Sequence, residues 1–180
     1  MVWDASSGRM SALREAIQPI RTHTALCRAL SEDFPRECSN LPILGGWGYS
    51  QPEAIRFIRD LFPPSAPLDF VGLEYLIAQK VIYEELIIFH PRDAGYCGIN
   101  VTVDEQQLIA DGDKRYDRVG LAVSCWSAAH WNALKNEWEE NDFGQRPGFD
   151  GAAHEVKRTE SKINYTRTVW FDITEVFGAR

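Results

Sequence analysis

Cysteine is scarce in this chain. There are four in 180 residues: Cys27, Cys38, Cys97 and Cys125, and none forms a C-x-x-C pair. His23, His90, His130 and His154 do not fall into a zinc spacing with them, so no metal site is expected. His23 and Cys27 stand where one helix face would hold both, but no second pair accompanies them. Reduced thiols without a bridging pattern predict a cytoplasmic protein. No apolar run is long enough to cross a membrane. The opening Met1-Val-Trp-Asp-Ala-Ser-Ser is neither basic nor followed by an apolar run, so no signal peptide is expected.

Clustered positive charge is also missing. The formal net charge is −7. Apart from Lys114-Arg115 and Lys157-Arg158 the basic residues are scattered. Phosphate backbones are held by grouped Lys and Arg, so nucleic acid is excluded as a partner. There is no G-x-G-x-x-G and no Gly-Lys-Ser/Thr phosphate loop, which leaves no cofactor to expect. No catalytic signature, internal repeat or low-complexity tract is present. The remaining partner classes are a small molecule or another protein, with no membrane surface among them.

The composition fits an ordinary globular protein. A chain of this length buries roughly 70% of its unfolded surface without staples. It predicts a single domain over 1–180 with residues 1–8 frayed. Aromatics make up 12% of the chain, including six tryptophans; that is rich enough for a well-packed core and an aromatic-lined site besides.

Along the chain, Leu13, Ile17, Ile20, Leu26 and Leu30 predict a helix over Met10–Leu30, kinked at Pro19. Ser50 or Gln51, Pro52 and Glu53 read as the start of a helix carrying Ala54, Ile55, Phe57 and Ile58. The prolines in Leu61–Pro67 end it. Residues 70–84 suit either helix or strand; helix to about Glu84 and strand from Glu85 to His90 is the reading adopted. The second half is plainer. Cys97–Val103 and Gln106–Ala110 read as strands. Asp111-Gly112 is a hairpin turn. Val119, Leu121, Val123 and Cys125 alternate along the next strand. Ser127 caps a helix over 128–140, with Trp131, Leu134 and Trp138 on one face to cover the sheet. Asn141–Gly151 reads as loop and Lys157–Lys162 as a mobile lead-in to a strand over Ile163–Thr174. The predicted class is α+β: a mostly antiparallel sheet from the C-terminal half, covered by helices from the N-terminal half and residues 127–140.

The stretch Gly45-Gly-Trp-Gly-Tyr49 carries the functional expectation. Glycine permits φ > 0 and close backbone approach. Gly45, Gly46 and Gly48 thus leave Trp47 and Tyr49 as aromatic walls of a ligand site, beside the N–H groups of the Pro52 helix. The same residues also fit a tight turn whose Trp packs into the core. Glu84, flanked by apolar residues, and His90, at the end of the β-rich run, are the catalytic candidates. Cys97 or Cys125 would have to join them from elsewhere in the fold. Without a convergent motif, the reading is a non-catalytic binding protein that recognises its ligand or partner through the Gly/Trp/Tyr loop. The alternative is a small hydrolase-like enzyme with a Glu/His constellation near that loop.

Overall fold

A computed structural model describes residues 17–62, 69–90 and 94–178. The terminus expected to fray, residues 10–16 of the expected first helix and most of the proline cluster lie outside the described residues. The fold is α+β. Its helices are α1 (Leu26–Asp33), α2 (Pro35–Cys38), α3 (Phe70–Tyr83), α4 (Ala128–Glu140) and α5 (Gly151–Glu160). Its strands are β1 (Ile43–Gly45), β2 (Ile55–Phe57), β3 (Tyr96–Asp111), β4 (Lys114–Ser127) and β5 (Ile163–Asp172). They form one mixed sheet in the order β1-β2-β5-β4-β3. The long strands come from the C-terminal half, as expected. Two short strands come from the N-terminal half, and β2 runs parallel to β5.

The chain divides into two compact units. One holds Pro19–Tyr83, Thr102–Ala122 and residues from Thr166 onward; the other holds Glu84–Val101 and Val123–Tyr165, with Ile17 and Gln18. In the first unit, β1 pairs antiparallel with β2, Ile43 opposite Phe57 and Gly45 opposite Ile55. Ile55 pairs with Phe171 and Arg56 with Asp172. Phe57 and Phe171, both fully buried, stack with ring centres 5.9 Å apart. Burying each such ring contributes about 1.5–3 kcal/mol. On α3, Glu74, Ile77, Ala78, Val81 and Ile82 are buried at helical spacing. Lys80 is buried there too. Its Nζ lies 4.4 Å from the centre of the Phe34 ring and 3.5 Å from Glu37 Oε1, so its charge is matched.

The structure corrects several expectations along the chain. The helix expected from Pro52 is one 3₁₀ turn, Gln51–Glu53, and Ile55–Phe57 is strand. Ile55 and Phe57 face the interior while Arg56 is exposed, an alternation the sheet exploits and a helix would not. The run Glu84–Ile88 is a π-helix that continues α3 rather than a strand. Residues 17–25 are not helical. Elsewhere Gln106–Ala110 belongs to the unbroken β3, and the region before β5 is the helix α5.

In the second unit Ser127 caps α4, its hydroxyl accepting from the His130 N–H at 3.3 Å. Asp150 caps α5 in the same way through Ala153 N–H at 2.9 Å. Among the described residues no disulfide joins the cysteines, and no helix is long and apolar enough to cross a membrane.

Candidate functional site

The Gly45–Tyr49 loop connects β1 to the 3₁₀ turn, and its glycines are there for the backbone. Gly45 and Gly48 have φ of 99° and 78°, the left-handed region that side chains disfavour. A Cβ at Gly46 would sit 2.6 Å from the Glu53 carbonyl oxygen, and one at Gly48 2.8 Å from Val169 Cγ1. The loop is thereby pressed onto its neighbours. Gly48 N–H donates to the Glu53 carbonyl, and the Gly48 carbonyl accepts from Trp170 N–H, both at 2.8 Å. The space beside Gly48 holds Val169 and Ile55 rather than a ligand, and Gly48 does not line the cavity that its neighbours wall.

That cavity, about 660 Å³, is bounded by Gly45, Gly46, Trp47, Tyr49 and Glu53 on one side and by residues 19–25 on the other. Both aromatics bond to the facing segment. Trp47 Nε1 donates to the Thr24 carbonyl at 3.2 Å, and the Tyr49 hydroxyl accepts from Ile20 N–H at 3.1 Å. Trp47 is buried, at 7% exposure, yet its loop reaches the cavity, so packing and lining coexist in one residue. The Arg167 guanidinium lies 5.7 Å from the centre of the Tyr49 ring. Arg21, His23 and Glu53 supply ionisable groups of both signs to the lining. The expected helix dipole is absent, because a single 3₁₀ turn at Pro52 aligns too few peptides to make one.

Glu84 and His90 do not line this cavity. Glu84 and Glu85 are both buried in the π-helix. His90 follows that helix and meets Tyr96 edge to face at 5.3 Å. Burial, and then the Cys97 thiol beside it, pushes the Cys125 thiol up to about 12. It stays protonated at neutral pH, which removes the nucleophilic form. Among the described residues no group of three or more His, Cys, Asp or Glu is placed to hold a metal.

A second constellation gave no sequence signal. Glu74 on α3 and Asp117 on β4 are buried together. The Gln106 side-chain amide on β3 bridges them, donating to Glu74 Oε2 and to Asp117 Oδ2, each at 3.0 Å. The Gln106 carbonyl accepts from the Tyr75 hydroxyl at 2.6 Å. Burial first, then the Asp117 charge and its hydrogen bond, raise the Glu74 carboxyl to about 8. Glu74 therefore carries a proton at neutral pH beside the Asp117 carboxyl group. The group opens on a cleft of about 450 Å³ whose apolar walls include Phe70, Leu108, Val176 and Phe177. Residues 74, 106 and 117 lie on three elements with no common spacing, so only folding brings them together.

The Trp131–Trp138 face is corrected at Trp138, whereas Trp131 does meet the sheet, its ring centre 5.4 Å from that of Trp126. No residue of α4 is buried, and Trp138 is 40% exposed. Its ring rests on Phe149 and His154, at 5.8 and 5.3 Å between centres, rather than serving as core.

Set against protein-family models, curated proteins and solved structures, the chain matches none.

Proposed function

We propose that this chain is a binding protein whose small polar ligand occupies the cavity between residues 19–25 and the Gly45–Tyr49 loop. The observation that supports it is the cavity itself. Its volume of about 660 Å³ suits a small molecule, since such sites run from roughly 300 to 1,000 Å³. Trp47 and Tyr49 offer apolar surface, Arg21 and Glu53 offer charges of both signs, and His23 offers an imidazole. A ligand with a ring and polar substituents uses all of these. A thermal-shift screen of metabolites tests the reading, because a ligand that binds only the native state raises its stability by mass action. Hits should lose affinity in Tyr49→Phe, which removes the acceptor for Ile20 N–H. Hits whose affinity is the same in Tyr49→Phe and Trp47→Phe overturn it.

One observation favours a second reading, catalysis, at different residues from those the sequence offered. A protonated Glu74 beside Asp117, in an open cleft, has the acid-and-base pairing that proton-transfer chemistry uses. A panel of chromogenic ester and glycoside substrates tests it. Turnover unaffected by Glu74→Gln and by Asp117→Asn would exclude this pair.

A further inference from the structure

A third cavity, about 290 Å³, lies between α4 and α5 and is lined by Trp131, Leu134, Lys135, Trp138, His154, Glu155 and Arg158. We infer that it binds a small planar aromatic carboxylate. None of its residues lines the Trp47 cavity, so the two sites stand or fall separately.

The walls are aromatic and already in place. Trp131 packs against Trp126 at 5.4 Å between centres. A Cβ at Gly98 would come within 2.8 Å of both those rings, which leaves Trp131 no room to retreat. Trp138 is backed by Phe149 and His154, and Gly144 fits against its ring where a Cβ would collide. His154 is itself fixed, its Nδ1 lying 3.3 Å from Glu137 Oε2. The other Glu137 oxygen accepts from Lys157 at 2.6 Å, so that carboxylate's charge is already matched. A flat ligand therefore meets rigid indole surface without first having to order it, and rigid walls lower the entropic cost of binding. The small volume restricts the occupant to about one ring system.

Charge sets the class. Lys135 and Arg158 set against Glu155 leave the lining at +1 in a chain whose total is −7. The acid partners of the two cations are Glu139 at 3.7 Å and Glu155 at 3.1 Å. Both pairs are about half exposed, and exposed pairs of this kind contribute little. A ligand carboxylate beside the indole wall, where water screens less, competes with them on favourable terms. A cationic ligand would find one carboxylate in the lining, Glu155, against the two cations Lys135 and Arg158.

The test uses the full chain and three probes: naphthalene-1-carboxylate, its carboxamide and 1-naphthylmethylamine. Affinities are measured by calorimetry, with the site mapped through the Trp131 and Trp138 indole N–H signals in ¹H–¹⁵N spectra. The carboxylate should bind about tenfold more tightly than the carboxamide, as one charge-assisted hydrogen bond implies. The amine should bind most weakly. Lys135→Gln and Arg158→Gln should each weaken carboxylate binding by roughly threefold and leave the carboxamide unchanged. Both side chains are at least half exposed, so their replacement disturbs less packing than Trp138→Ala would, and the unchanged carboxamide affinity reports that the indole walls are intact. The inference is overturned by an amine that binds as well as the carboxylate, by carboxylate affinity indifferent to both charge variants, or by no binding of the carboxylate at millimolar concentration.

Discussion

Glu74 gives the molecule a pH dependence of unusual sign. Its carboxyl sits near 4.5 in the unfolded chain and about 8 in the fold. Between those values the native state holds a proton that the unfolded state has released. Stability from this group is thus complete below about pH 4.5 and is lost as pH rises through about 8. Glu74→Gln, which stays neutral, should flatten that decline and leave the variant more stable than the parent above about pH 8. Urea midpoints of both proteins at about pH 5, 7 and 9 check it; parallel curves would show that Glu74 is ionised throughout. At Gly48 the issue is space as well as φ. Gly48→Ala should cost roughly 2–4 kcal/mol from the left-handed backbone and the collision with Val169 and Ile55. Gly112→Ala, in the hairpin turn with φ of 56° and nothing near its Cβ, should cost only about 1 kcal/mol. Thermal melts that rank the two the other way would show that the loop yields. Thiol reactivity follows burial: Cys27 and Cys97 should react with a disulfide reagent in the native state well before buried Cys38 and Cys125, and all should react in denaturant.

Elements set by local chemistry are readable in the sequence, and those set by distant partners are not. Ser127 ahead of an apolar face announces α4. Ser127→Ala should cost about 1 kcal/mol by leaving an N–H of the first turn without its acceptor, a loss that denaturant unfolding would register. The Asp111-Gly112 turn and the buried alternation of Val119, Leu121, Val123 and Cys125 are equally plain. Pro52 misleads because a cap, a proline and an acid also suit a single 3₁₀ turn, and the conformation of Ile55–Phe57 is decided by β5. The β-branched pair Ile87-Ile88 is drawn into the π-helix, against its propensity. Helix α5 has its signals, Asp150 as cap and Lys157-Arg158 in the last turn, but no continuous apolar stripe to mark it as a helix. At the candidate site, Trp47 and Tyr49 are legible because glycines isolate them. Their ties to Ile20 and Thr24 are not, since the apolar spacing of residues 17–25 imitates a helix that does not form.

At the scale of the whole molecule, neither compact unit is a continuous stretch of chain. A fragment ending at Tyr83 carries β1 and β2 but lacks β5, the strand that Ile55 and Arg56 pair with. Such a fragment should show the narrow amide dispersion of an unfolded chain in ¹H–¹⁵N spectra; a well-dispersed spectrum would mean that β1, β2 and α3 hold together alone. The parallel join of β2 to β5 also dictates an order of events in the cell. Beside that join, the Arg59 N–H meets the Glu175 carboxylate across 116 residues of sequence. Ribosomes add about 5–20 residues per second. The early strands therefore leave the ribosome seconds before the segment that completes their sheet has been made. During that interval Ile55 and Phe57 lack the β5 partner that closes their sheet, and their apolar side chains stay open to other chains.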